Sequence, residues 1–373
     1  MLSYWESVSF IKYDLIIVGS GIVGLSAAIK YKKKHPNTTI AILERGVFPS
    51  GASTKNAGFA CFGSISELED DLKECNEDEI VALTEKRYRG IKELRKLLGD
   101  EAIQFEPVGG FELGFDHSAC DRIEYYNRLL EKVFPRAPFS EVTKDLKNYP
   151  FSKKVTHLIK HQFEGTIHTG KMMSSLIDLA LELGIRIYTG CEVKHIEFDT
   201  NPVRIGTVTN KQTVEFRAAQ IALCTNAFTS SLLPDIDLEP GRGQVLITKP
   251  IHNLDLKGSF HYHRGYHYFR PIDNRILIGG GRQLDKPGET SLAFAPNETI
   301  LNQLKEDLQR FILPGLEVSI ESNWTGIMAF GKSKNPIVKK ASENVFVASR
   351  LGGMGIAIGA GVADDLITLL ESQ

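Results

Sequence analysis

The sequence predicts an α/β protein in which a Rossmann-like unit opens the chain and a second, strand-rich α+β unit shares the rest. Three observations carry this. Residues 14–19 (DLIIVG) form a short apolar run ending in glycine, 22–33 have helical spacing, and 38–44 (TTIAILE) are β-branched and apolar. Together they read β-α-β within about thirty residues. Strand signals then recur in QVLIT, YHYFRP and RILIGG between 243 and 280. The length, 373 residues, exceeds one compact α/β core and falls short of three, so two interleaved or consecutive domains are expected.

The remaining elements follow in order. The first helix has a basic end, suited to a helix C-terminus, and His35-Pro36-Asn37 stops it. Residues 78–98 read as a long amphipathic helix and 121–133 as another, each with one face in water. Between them, 105–115 holds Gly109-Gly110 and FELGF, a strand of a different sheet. A helix at 172–183 ends at Gly184, and strands are expected at 185–188, 193–198, 204–208, 213–217 and 220–224. A helix at 299–311 stops near Pro314, and the tail runs strand (344–348), glycine loop and helix (355–370). There is no internal repeat and no low-complexity linker.

Composition narrows the function classes. Hydrophobic content of 42% and charged content of 24% argue against disorder and against a membrane protein. Lys plus Arg number 44 against 46 Asp plus Glu, so no long-range field draws nucleic acid or an anionic membrane. A small-molecule partner is expected. Residues 1–12 lack the pattern of a secretory signal, which makes the cytoplasm the expected compartment. The apolar stretch 351–362 contains five glycines and is too short to span a bilayer. Cys61, Cys75, Cys120, Cys191 and Cys224 are odd in number and scattered, so free thiols are expected. His117, His157, His161, His168 and His195 are not at metal spacing, and no metal site is expected.

Gly19-Ser20-Gly21-Ile22-Val23-Gly24 is G-x-G-x-x-G between a predicted strand and a predicted helix. The first glycine permits a tight turn, the second lets backbone approach a pyrophosphate, and the third lets helix and strand pack closely. The helix N-terminus offers unpaired N–H groups to phosphate. Glu44 stands at the end of the second strand, where a carboxylate can accept from a ribose diol. This fingerprint admits NAD as readily as FAD. The next segment, 51–58 (GASTKNAG), bears on the choice: its small side chains would let backbone approach a bulky planar ligand, and read without a family it is equally a plain loop.

With GRGQVLIT at 241–248, YFRPIDNRILIGGGR at 268–282, Trp324-Thr325-Gly326-Ile327, Asn335-Pro336-Ile337 and VFVASRLGGMG at 345–355, these blocks span nearly the whole chain. In that order and spacing the sequence resembles the D-amino-acid oxidase and glycine oxidase superfamily of flavoproteins. The resemblance implies a Rossmann-like FAD-binding domain (1–85, 155–228 and 325–373) interleaved with an α+β substrate domain (86–154 and 229–324) on a mostly antiparallel sheet. It implies that Gly19, Gly21, Ile22, Val23, Gly24, Glu44 and Arg45 hold the ADP half, with Ser53 and Thr54 at the pyrophosphate. Lys55, Asn56, Ala57 and Gly58 would pass near the isoalloxazine, Val193 would meet adenine through its backbone, and Cys224, Thr225 and Asn226 would lie beside the ADP. Gly352, Gly353, Met354, Gly355 and Ile356 would wrap the pyrimidine edge of the flavin, where a helix N-terminus stabilises the reduced anion. Some relatives attach FAD through a cysteine near Trp324 or a histidine near Lys55. Neither residue is present, so non-covalent FAD is expected.

The family reaction implied is hydride transfer from a carbon bearing an amine to flavin N5, the imine then being hydrolysed. Candidate pocket residues are His261, His263, Arg264, Tyr266, Tyr268, Arg270 and Arg282. Strand alternation puts Tyr266, Tyr268 and Arg270 on one face and His267 and Phe269 on the other. Tyr268 is the leading candidate for a catalytic residue. Many relatives grip a substrate carboxylate with an arginine shortly after W-x-G or a lysine after the tail glycines; here Met328, Ala329 and Ala357 stand in those places. Either the substrate is an amine lacking an α-carboxylate, or the clamp has moved to Arg282, first in rank, or to Arg270, Arg264 or Lys55. Leu277 occupies the place of an oxygen-activating lysine, so the electron acceptor is O2 or another partner. Two alternatives stay open: a 2-hydroxyacid dehydrogenase with His261 or His263 as base, and a flavin-binding protein without turnover.

Overall fold

The computed structural model describes residues 2–209 and 212–372. The opening strand, Lys12–Val18, lies in the first sheet between two parallel partners, Ile40–Leu43 and Gln212–Leu223. From edge to edge the order is Ile337–Ser342, Val345–Ser349, Gln212–Leu223, Lys12–Val18, Ile40–Leu43 and Arg186–Tyr188. The central strands are apolar on both faces because both are covered: one by helices, the other by the strands Glu192–Glu197 and Val203–Thr209 with the first half of Gln212–Leu223.

Two strands expected at 213–217 and 220–224 are one strand of 12 residues, Gln212–Leu223. Its polar first half pairs antiparallel with Val203–Thr209, and its apolar second half enters the parallel sheet. The helix expected at 121–133 is shorter, a 3-10 turn at Cys120–Arg122 followed by Ile123–Leu129. The helix expected to end at 311 is α-helical over Glu298–Asp307 and widens into a π turn at Leu308–Ile312, which buries Leu308 and Phe311.

The second sheet runs Ile320–Phe330, Glu239–Thr248, Arg275–Gly280, His267–Ile272, Ser259–Tyr262, Gly110–Gly114, His157–His161 and Phe139–Glu141. Neighbours are antiparallel except Ser259–Tyr262 with Gly110–Gly114. The strands His157–His161 and Ile320–Phe330 pair here, so the expected edges at 154/155 and 324/325 do not follow the sheet boundary. Phe111, Phe260, Phe269 and Tyr262 fill the apolar layer behind this sheet.

The tail helix, Gly355–Glu371, packs between the fingerprint helix, Ile22–Lys34, and the long helix Glu77–Leu98. Its close crossing with the long helix needs Gly90, where a Cβ would stand 2.2 Å from the Ala357 carbonyl oxygen. This packing brings the N-termini of the tail and fingerprint helices to the same side of the first sheet. All five cysteines are free, and among the described residues no helix is long and apolar enough to cross a membrane.

Candidate cofactor and substrate cavity

Between the two sheets lies a cavity of about 600 Å³ lined by residues of both. One end is built by the fingerprint. Gly19 has φ +102°, and its N–H donates to the Leu43 carbonyl at 2.8 Å, which turns the chain sharply off the first strand. A Cβ on Gly24 would lie 2.0 Å from the Gly19 carbonyl oxygen, so only glycine lets the helix start this close to the turn. The helix has Gly21 at its N-cap and no side-chain cap of its own. Its first N–H, on Ile22, donates instead to Ser53 Oγ at 3.0 Å, placing a hydroxyl oxygen at a helix mouth suited to a phosphate oxygen.

Glu44 is buried at the end of the second strand, and the turn fixes its carboxylate. Oε2 accepts from Ser20 N at 3.1 Å and Ser20 Oγ at 2.7 Å, while Oε1 accepts from Gly46 N at 2.9 Å and Ser50 Oγ at 3.3 Å. The long Ser50 contact is the one a ribose hydroxyl can replace. Arg45 lies flat over the Phe228 ring, its guanidinium carbon 3.6 Å from the centroid. At the other end, Gly352 N donates to Ala329 O at 3.0 Å, and the tail helix begins after Met354 with no side-chain cap. Two helix N-termini whose own N-cap residues, Gly21 and Met354, give no side-chain cap, and a preset carboxylate, on one cavity fit a dinucleotide such as FAD. When bound, FAD supplies the two-electron acceptor.

Every expected cofactor residue lines the cavity except Gly24, Thr54 and Gly58. Those three hold the lining from behind. Gly24 packs under the turn, Thr54 Oγ1 donates to Pro49 O at 2.8 Å, and Gly58, at φ +77°, has its N–H on Asn56 Oδ1 at 2.9 Å.

On the second sheet, Tyr268, His261 and Arg282 line the cavity. Tyr268 and His261 are direct cross-strand partners, and the edge of Phe59 meets both rings at 5.4 and 5.0 Å. Burial pushes the Tyr268 phenol up to about 12 and the His261 imidazole down to about 4. His261 Nε2 has no hydrogen-bond partner and stands 3.9 Å from Glu164 Oε2. Glu164 accepts from Phe62 N at 2.7 Å, and burial raises its carboxyl to about 8. Arg282 lies over Phe330 at 4.2 Å and reaches Glu239 at 3.5 Å, and its buried Nε is unpartnered.

The other pocket candidates divide. Arg270 is committed to structure: Nη1 donates to Ile167 O at 2.8 Å and Gly58 O at 3.0 Å, which ties the second sheet to the 51–58 segment. Arg264 and Tyr266 line the cavity at its exposed margin, Arg264 paired with Asp70 at 3.4 Å. His263 does not line it and stacks on Phe115 with centroids 5.2 Å apart. Lys55 lies with Nζ 5.4 Å from the Phe294 centroid. Residues that motif reading missed include Arg350, Cys61, Phe59 and Glu164. Arg350 carries a sequence signal, since it precedes the tail glycines; its Nη1 meets Asp237 Oδ2 at 2.5 Å.

A glycine-turn β-α-β unit, a preset acidic residue and a second sheet facing the same cavity define a flavin-dependent oxidoreductase. The chain belongs to the FAD dependent oxidoreductase family, DAO, whose sequence profile matches residues 14–369. It is 21% identical over 348 residues to glycine oxidase of Bacillus subtilis (strain 168), covering 89% of this chain and 85% of that protein. It is 22% identical over 296 residues to mitochondrial L-2-hydroxyglutarate dehydrogenase of Homo sapiens, covering 74% and 62%. Among solved structures, glycine oxidase from Geobacillus kaustophilus matches with TM-score 0.78 at 19% identity, covering 97% of this chain and 96% of that one. L-proline dehydrogenase from P. horikoshii also matches at 0.78 and 19%, covering 97% and 94%.

Proposed function

We propose that this FAD-dependent oxidoreductase oxidises the C–N bond of an amine or amino acid to an imine, which water then hydrolyses. The observation that carries the reading is the weak basicity of the cavity wall on the second sheet. Tyr268, with its phenol near 12, keeps its proton at neutral pH, and His261, near 4, is a poor acceptor. An alcohol must lose its O–H proton as it is oxidised, whereas a neutral amine supplies its own lone pair. Glycine oxidase and L-proline dehydrogenase among the similar proteins support the same reading.

In this reading the ADP half of FAD lies on the fingerprint helix and Glu44, and the flavin lies by the tail helix N-terminus and residues 55–57. The substrate occupies the side of Tyr268 and His261. Tyr268 donates a hydrogen bond to it, and Phe59 holds that ring in place. Arg282, whose buried Nε is unpartnered, is the cation assigned to a substrate carboxylate, with Lys55 second; Arg270 is taken up by backbone carbonyls.

One observation favours a second reading, a 2-hydroxyacid dehydrogenase: the ring of His261 lines the cavity with Nε2 free of any hydrogen-bond partner, so it can take a hydroxyl proton. The test is anaerobic mixing of the yellow holoenzyme with separate pools of amines, amino acids and 2-hydroxyacids. Bleaching by amines or amino acids is expected; bleaching by hydroxyacids alone overturns the first reading for the second, and no bleaching overturns both. Repeating the productive mixture in air separates O2 from another electron acceptor.

A further inference from the structure

The far edge of the second sheet carries a group of side chains that the cavity does not use. Gly110–Gly114, His157–His161 and Phe139–Glu141 are neighbouring strands there. His117 lies in the turn following the first, His157 opens the second, and Glu141 ends the third. One nitrogen from each imidazole and one Glu141 carboxylate oxygen lie within 4.8 Å of one another. The rings meet edge to face, with centroids 4.4 Å apart and planes at 83°. None of the three lines the cofactor cavity.

Hydrogen bonds decide which atoms are free. Asp121 Oδ1, 3.1 Å from His117 Nδ1, is a carboxylate oxygen and accepts. Thr156 Oγ1 stands 3.3 Å from Gly114 O and 2.9 Å from His157 Nδ1, and when it gives its hydrogen to the carbonyl it accepts from that nitrogen. In that arrangement both rings carry the proton on Nδ1 and offer Nε2 to a ligand. Thr143 Oγ1 donates to Glu141 Oε1 at 2.7 Å, leaving Oε2 open. An outer oxygen partner on the non-ligating atom is how metal-binding histidines are oriented.

We propose that His117, Glu141 and His157 form a surface site for one borderline divalent cation of the zinc type, with water completing the shell. Two imidazoles and one carboxylate suit Zn2+ and its transition-metal neighbours and disfavour Mg2+, which takes oxygen ligands. Asp116 and Asp121 in the same turn add negative charge around it. Ligand atoms within 4.8 Å of one another must close further to share an ion, a movement the exposed side chains of His117 and Glu141 are free to make toward the half-buried His157. A bound ion would pin the turn after Gly110–Gly114 to the two strands beside it.

The test uses the FAD-loaded full chain, titrated with Zn2+ by calorimetry and with Co2+ by visible absorption. One ion per chain with micromolar or tighter affinity is expected, with the flavin spectrum unchanged. His117→Ala and His157→Ala should each weaken binding by about 10-fold or more, and Asp121→Asn by about 10-fold. His195→Ala, on an exposed strand elsewhere, should leave it unchanged. Absence of saturable binding, equal response to Mg2+, or unaltered affinity in the His117→Ala/His157→Ala pair would overturn the site. Retention of flavin colour in each variant reports that the fold is intact.

Discussion

The two ends of the cavity are built on opposite plans. At the fingerprint end, the polar groups are engaged within the chain: Glu44 accepts four hydrogen bonds, and the first N–H of the fingerprint helix has Ser53. At the second-sheet end, His261 Nε2 and Arg282 Nε have no partner. A buried polar atom left unpaired costs about 1–3 kcal/mol, and at these two, unlike buried orphans such as His161 Nε2 and Tyr126 OH, a molecule in the cavity can offset that cost. The first end is preset for a resident cofactor that never changes. The second holds hydrogen-bonding capacity in reserve for a molecule that comes and goes.

The largest way to break this contrast is at the fingerprint. Gly24→Ala forces a Cβ onto the Gly19 carbonyl oxygen at 2.0 Å, and we expect loss of FAD with destabilisation of more than about 4 kcal/mol, read as colourless protein with a lowered unfolding midpoint. At the opposite end, Tyr268→Phe should keep the flavin spectrum and slow anaerobic reduction by substrate roughly 10-fold to 100-fold, the worth of one hydrogen bond to a charged group. Arg282→Met should raise KM for a carboxylate-bearing substrate about 10-fold or more with little change in kcat. An equal KM for that variant would mean the substrate has no carboxylate at this place.

A smaller effect concerns Glu164. Burial holds its folded pKa, about 8, above the ordinary 4.5, so the protonated carboxyl stabilises the fold fully below about pH 4.5. That contribution is lost as pH rises through about 8. Glu164→Gln should flatten the fall in Tm between about pH 5 and pH 9; an unaltered slope would assign the raised pKa to no stability role. The smallest effect is on attachment: acid precipitation should leave the yellow colour in the supernatant, and colour in the pellet would mean a covalent link.

Much of the first end was legible because its physics is local. Gly19, Gly21, Glu44 and the glycines at 352, 353 and 355 each answer to a turn, a helix start or a close approach within a few residues, and the structure puts them on one cavity, with Gly24 packed behind it. The second end was legible only in part. Alternation grouped Tyr266, Tyr268 and Arg270 on one face, of which the two tyrosines line the cavity, but nothing in the local pattern separated Arg282, which lines it, from Arg270, whose side chain the backbone carbonyls of Gly58 and Ile167 take up. His261 and His263, two residues apart, part company for the same reason: one packs on Phe59, the other on Phe115. The strand Gln212–Leu223 was split in reading because its polarity changes midway, and it is continuous because its partners change there too.

The sequence by itself determined the β-α-β opening, the cofactor class and the strand, glycine turn and helix of the tail, since short-range backbone geometry dictates glycine where backbone must approach phosphate or helix. Only the tertiary structure decided which cations and imidazoles face the cavity. It also brought His117, Glu141 and His157 together from places in the chain far apart. Such contacts depend on strand order and register across a sheet, which the spacing of residues along the chain does not encode.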